Sequence, residues 1–244
     1  MLKDYKFGNG KISDSTLIIN MGSARKCPSA ARGLCSIAGQ CYAARDERLY
    51  PKTAVPYRDR QEEYWLGTPA AQMAWDIEGV FEANDRLLEK RWDRTSKATT
   101  KRKPKAGKRV LRWNESGDLH SMGCVEKLFT VAQLTPDVTH YMYTHRTDLV
   151  RLMAHRPKNV VIQISVDNQD DSDKYNALGF NTFFTDTEID IRNRKEVEGT
   201  TPHEGAAKIL KRKYGAKALI CKWDCSSCAL CKVQHGKAIH ICLH

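Results

Sequence analysis

Short apolar runs alternate with stripes of helical spacing along most of the chain. Six runs have the length and composition of strands: Thr16 to Asn20, Arg109 to Trp113, Thr139 to Tyr143, Asn159 to Val166, Phe180 to Phe184 and Lys217 to Ile220. Between the first two, Met73, Ile77, Val80, Phe81, Leu87, Leu88 and Trp92 recur at helical intervals, with Thr68 as N-cap and Pro69 in the first turn. Tyr57, Tyr64 and Trp65 suggest a further helical piece before it. Later helices are expected after Ser121 (Val125, Leu128, Phe129, Ala132), after Thr147 (Leu149, Val150, Leu152, Met153) and from Ser172 to Leu178. A capping box from Thr201 to Glu204 opens the last one, and Gly215 closes it.

Strands separated by single helices predict an α/β fold with a mostly parallel sheet and right-handed crossovers. Such a sheet is either open or closed, and the pattern favours a TIM-like β/α barrel, whole or partial. The placement of reactive residues argues for this. Cys27 follows the first strand, Asn114 to Asp118 the second, Thr144 to Arg146 the third, Asp167 the fourth, Asp186 the fifth and Cys221 the sixth. In α/β sheets and barrels these C-terminal strand ends share one face.

Length and charge limit the reading further. At 244 residues the chain can build one core as a single domain, 1–244, with residues 221–244 as a C-terminal cysteine segment. Seven of the eleven net positive charges fall between Lys97 and Arg109 with no acid among them. The excess is therefore local. It reads as a flexible basic insertion, 97–109, with nucleic-acid contact as the functional alternative. No apolar run is long enough for a membrane span, and no apolar leader follows Met1. Nine cysteines, an odd number, fit a reducing, cytoplasmic compartment where clustered thiols signal metal or redox chemistry.

The thiols fall into two groups. Cys27, Cys35 and Cys41 lie within fifteen residues among small ones, whose backbone can curl around a cofactor. Cys221, Cys225, Cys228 and Cys231 lie within eleven, and the last three read C-x2-C-x2-C. That tight spacing suits an iron–sulfur cube, while structural zinc more often takes two separated pairs. The expected cofactor is a [4Fe-4S] cluster, with [3Fe-4S] or two clusters as variants; zinc and inert thiols are the alternatives. Cys124 is expected in the core and Cys242 free, and His235, His240 and His244 are expected on a surface tail.

Four polar residues on the same rim are catalytic candidates. Asp118 could orient a ligand or accept a bond from a histidine that holds one, or merely cap the next helix. His145 and Arg146 could deliver protons or hold an anion beside the metal, and Asp167 stands similarly. His203, inside the capping box, is expected to be structural.

The combination of Cys27-Pro and Cys41-Tyr-Ala, the run Arg112 to Asp118, Thr144 to Arg146 and the terminal thiols resembles the "gene product 88" family of phage proteins. That resemblance implies a phage origin, with the host cytoplasm as location, and an iron–sulfur-like cysteine set. More loosely, a cysteine loop after the first strand of a barrel is similar to radical S-adenosylmethionine enzymes. The first loop here is C-x7-C-x5-C rather than C-x3-C-x2-C, with no glycine-rich methionine-binding stretch. The expected function is an iron–sulfur oxidoreductase acting on a small-molecule oxidant of the peroxide type or on a redox partner. A radical S-adenosylmethionine-like enzyme, and a nucleic-acid-binding protein with a structural cluster, are the alternatives.

Overall fold

The computed structural model describes residues 4–9, 12–95, 108–190, 202–225 and 228–243. The chain folds as a mixed α/β protein around one eight-stranded sheet. The strands are β1 (Lys6–Phe7), β2 (Thr16–Ile19), β3 (Arg109–Trp113), β4 (Val138–Thr144), β5 (Val160–Val166), β6 (Asn181–Asp190), β7 (Leu219–Ile220) and β8 (Ala238–Leu243). Their hydrogen-bonded order is β1-β2-β3-β4-β5-β6-β8-β7. β1 pairs antiparallel with β2, and every other pairing is parallel. All six expected strands are present. The helices are α1 (Pro28–Ala31), α2 (Tyr42–Leu49), α3 (Ala54–Gly67), α4 (Ala70–Thr95), α5 (Met122–Leu134), α6 (Val150–Met153), α7 (Gln169–Ala177) and α8 (Pro202–Tyr214).

The tail beyond the thiols departs from expectation. Residues 238–243 form β8, which inserts between β6 and β7, so His240 and Cys242 belong to the sheet and not to a surface tail. Both are buried, and the His240 ring stacks on Tyr214 at 4.1 Å and tilts against Phe184 at 5.2 Å. A parallel central strand has both faces covered, which turns a polar-looking segment inward. His235 is half-buried, with its amide donating to Asn181; His244 lies outside the described residues. So do residues 97–107 of the basic stretch and Thr201 of the capping box. Arg109, at the end of that basic stretch, starts β3 and pairs with Glu78 and Asp85 of α4.

The two sheet faces differ in what covers them. Alternate residues Leu111 and Trp113, Met142, Ile162 and Ile164, and Phe184 meet α4, α5 and α7 in the main core. Trp65 of α3 packs on Trp113 at 5.2 Å. The intervening residues, Val110 and Arg112, Tyr141 and Tyr143, Val161 and Gln163, Asn181 and Phe183, point to the other side. There Phe183 meets the cluster of α8, and Cys231 of the C-terminal cysteine segment packs against Val110, Tyr141, Val161 and Tyr143. This second side is hereafter the loop face.

One buried polar pair in the core sets a titration. Trp113 Nε1 donates to His140 Nδ1 at 3.1 Å, so the other ring nitrogen carries the proton and faces Thr135 Oγ1 at 2.8 Å. Burial pushes the ring down from its ordinary 6.5 to about 3, keeping it neutral in the folded chain. The folded value lies below the unfolded one. The neutral ring's contribution is thus complete above about 6.5 and is lost as pH falls towards about 3. Urea unfolding as a function of pH should show this group costing about 1.4 kcal/mol per pH unit across that window. His140→Gln should flatten the slope there, and an unchanged slope would contradict the assignment.

Candidate functional site

The site grows from the end of β2. Asn20, fully buried, accepts the Ser116 amide at 2.7 Å and donates to Gln61 of α3 at 2.6 Å. The Met21 amide in turn donates to Ser116 O at 3.1 Å, so the turn after β3 is laced to the segment that leads to Cys27. The lacing leaves no room at Gly117. With φ at +78°, a Cβ there would stand 2.7 Å from Gly22 N and 2.8 Å from the Met21 carbonyl carbon. Asn114 accepts φ of 49° in the same turn and holds the β4 edge through its amide to Tyr143 O.

Asp118 is the hub of this rim. Its carboxylate is 3% exposed and accepts four hydrogen bonds: Ser29 Oγ at 2.7 Å, Thr144 Oγ1 at 2.7 Å, the His145 amide at 3.0 Å and the Leu119 amide at 2.8 Å. Ser29 sits in the first thiol loop, two residues after Cys27. The other donors come from the ends of β4 and β3, so one carboxylate fixes three segments. Beside the ligand, histidine-bonding or capping roles expected of Asp118, its bonds tie the thiol loop to the sheet.

A second clamp holds the other flank of that loop. Glu47 Oε1 accepts the Ala24 amide at 2.7 Å and the Arg58 guanidinium at 2.9 Å, and Arg58 also donates to Ala43 O at 2.8 Å. Both charged groups are buried, each at 7% side-chain exposure. Removing one partner would strand the other without water.

Within the loop, Cys27, Cys35 and Cys41 are all half-buried. Burial pushes Cys27 up and Cys35 up to about 11, while backbone amides of Ala30 and Ser29 bond the first sulfur and that of Ile37 the second. Amides aimed at sulfur suit a thiolate, and a bound cation would reverse the effect of burial. Cys27 and Cys41 both act electrostatically on Cys35, so the three thiols are neighbours.

The second group wraps the opposite flank. The Cys221 amide extends the sheet by donating to His240 O at 2.9 Å, and Trp223 then takes φ of 56°. Lys232 Nζ closes the turn on Cys225 O at 3.2 Å. Gln163 Nε2 donates to Cys231 O at 3.1 Å and Asn181 Nδ2 to Val233 O at 2.8 Å, pinning the segment across the loop face. Burial pushes Cys231 up to about 12, with the Tyr143 hydroxyl bonded to it and the other three thiols near. Among the described residues, no three or more His, Cys, Asp or Glu side chains stand at metal-holding separations. Cys124 is buried beneath Ser121, away from these loops, whereas Cys242 is buried in the cluster that Trp223 joins and Cys221 packs against.

The remaining rim candidates divide. His145 is half-buried; burial pulls its pKa down, and the charges of Asp118 and Asp167 pull it back up. Asp167 itself is exposed beyond β5. Arg146 is 2% exposed and fully engaged: Nε and Nη2 bond Asp148 at 2.8 Å each, and Nη1 bonds Leu119 O. His203 tilts against Trp223 at 5.0 Å.

Sequence reasoning passed over Arg112. It lies on the loop face with its guanidinium 5.1 Å from the Tyr143 ring and Nη2 3.5 Å from Tyr42 Oη. Burial works to lower its pKa, but Tyr42, Tyr141, Tyr143 and Glu115 hold it up, so it stays charged. Tyr42 adjoins Cys41, and Tyr141 and Tyr143 touch Cys231, so Arg112 stands between the thiol groups. The parity of Val110 and Arg112 in β3 was the available signal.

The fold and site define a parallel α/β protein with two cysteine loops spanning one sheet. The chain belongs to the Gene product 88 family of phage proteins, whose pattern it matches over residues 3–234. No curated protein and no solved structure matches it. Among the described residues, no helix is long and apolar enough to cross a membrane.

The role of Asp118 can be checked directly. Asp118→Asn turns an amide donor towards groups that are themselves donors, and should cost roughly 3 kcal/mol of stability. It should also speed alkylation of Cys27 and Cys35, which share the freed loop, while Cys124 keeps its rate. Unchanged stability and reactivity would show that Ser29 is held by something else.

Proposed function

We propose that this protein is an iron–sulfur oxidoreductase, its cluster held by Cys27, Cys35 and Cys41 or by Cys221, Cys225, Cys228 and Cys231. The observation that carries the reading is that both thiol groups reach the surroundings of Arg112 on the loop face, the first through Tyr42 beside Cys41 and the second through Tyr143 against Cys231, with backbone amides already turned to the sulfurs of the first. The sheet is read as a partial β/α barrel, its helices outside and the loop face inside. What supports this is the division of sheet residues between a helix-packed side and a side crossed by the cysteine segment. Cysteine-rich donor sets favour iron–sulfur clusters or zinc over harder ions, and the tight C-x2-C-x2-C spacing favours the cluster. Since the thiols are near one another but not at metal-holding separations, loading would draw them together.

When bound, such a cluster supplies one-electron chemistry to a small oxidant or a redox partner. The chain's own residues do the rest. His145, flanked by Asp118 and Asp167, is placed to pass a proton at the rim. Arg146, locked on Asp148, keeps the His145 backbone in place rather than meeting substrate. Tyr143 and Gln163 anchor the second thiol loop over the interior.

Anaerobic preparation should yield a brown protein with matching iron and acid-labile sulfide, about four of each per cube. Cys225→Ser, Cys228→Ser and Cys231→Ser test one loop and Cys27→Ser, Cys35→Ser and Cys41→Ser the other. At least one set should lose iron, whereas Cys124→Ser and Cys242→Ser keep it. Stoichiometric zinc without visible charge-transfer absorption would contradict the proposal.

A further inference from the structure

We infer that the loop face carries an oxyanion site centred on Arg112, taking the carboxylate or phosphate group of a small molecule between the two thiol loops. The inference rests on the oxidoreductase reading only in making that anion the substrate; the anion site itself stands without a cluster.

The argument starts from an unspent charge. Arg112 is half-buried on the loop face, two residues from buried Val110 on the same side of β3. Its Nε is cut off from solvent and has no hydrogen-bond partner among the described residues. The hydrogen bond from the guanidinium that those residues offer is long, 3.5 Å from Nη2 to Tyr42 Oη. No carboxylate pairs with it there either. Glu115, the nearest acid to act on it, is already held by Lys6 and by Asn9 Nδ2 at 2.6 Å. An unpaired guanidinium at such a place is costly unless something anionic meets it.

The contrast with the two buried arginines is direct. Arg58 is satisfied by Glu47 and Ala43 O, and Arg146 by Asp148 and Leu119 O. Arg112 alone of these three lies between the thiol groups, and it alone lacks a paired acid. Its surroundings also suit a planar anion. The guanidinium lies over the Tyr143 ring, which holds the fork in one orientation, and planar forks match carboxylate and phosphate oxygens. A second unanswered group, the Oε1 of fully buried Gln163, lies one strand beyond Tyr143 on the same face. It could accept from a hydroxyl or ammonium elsewhere on the same ligand. A small hydroxy or amino acid, or its phosphate counterpart, would satisfy both.

The test uses the full chain, iron-free and iron-loaded, titrated calorimetrically at constant ionic strength with inorganic phosphate and, separately, with succinate as the carboxylate probe. One saturable site per chain is expected for at least one probe, and the two arms show which oxyanion it prefers. Arg112→Gln should weaken that binding by on the order of 30-fold or more, because the charged partner is gone. In anion-free buffer the same variant should be at least as stable as the parent, since a half-buried charge without a paired acid has been removed. Should Arg112→Gln fail to fold, Arg112→Lys retains the charge without the fork, and it should bind the probe more weakly than the parent. Probe binding that is absent from the parent, or equal in parent and variants, overturns the inference. Loss of iron in Arg112→Gln without any probe binding by the parent also overturns it, because the guanidinium then balances the thiolates. Probe binding by a chain that never takes up iron keeps the anion site and removes the cluster.

Discussion

The carboxylate of Asp118 is the constraint on which the candidate site depends. It lies beneath the rim, out of water, and accepts hydrogen bonds from the first thiol loop, from the turn after β3 and from the end of β4. A buried charge with four donors is stable only while all the donors stay in place, so the three segments are positioned together or not at all. Around it the same logic recurs at smaller scale. Asn20 and Gln61 join β2 to α3, and Glu47 and Arg58 join α2 to α3 while holding Ala24. The thiol loop is thus suspended from buried polar contacts on both flanks, and its own residues remain small and half-exposed.

That suspension explains why cysteines almost 180 residues apart serve one region. Parallel strands deliver their C-terminal ends to one edge, and the turn with Gly117 closes so tightly on Met21 and Gly22 that no side chain fits between. From the other flank, β7 ends in Cys221, and the chain must travel to the opposite end of the sheet before β8 can pair in parallel. It makes that journey over the loop face, held by Gln163 and Asn181. The crossing covers the loop face of β3 to β6 and leaves Arg112 between the two thiol groups.

Much of the scaffold was legible because its strands are dense in Val, Ile and aromatic residues and its longer helices carry apolar residues at helical spacing. β8 was not. Its alternation is short, it carries His240 and Cys242, and it follows a cysteine loop, so local pattern suggested a tail where tertiary pairing makes a strand. The site was legible in outline from the strand-end positions of Cys27, Asp118, His145 and Cys221. Side-chain roles were not, since they depend on partners far along the chain. Nothing local says that Arg146 is consumed by Asp148 and Leu119 O while Arg112 keeps a free edge. The difference arises from which face of which strand each side chain occupies.

The central claim is that the two thiol loops open on one shared face. Bifunctional maleimides of graded length, applied to the iron-free full chain with Cys124 and Cys242 replaced by serine, test it most directly. Mass spectrometry of the products should find links between Cys41 or Cys35 and Cys225 or Cys231 within single chains. Asp118→Asn should scatter that pattern. Links confined to each loop, at every reagent length, would contradict the account.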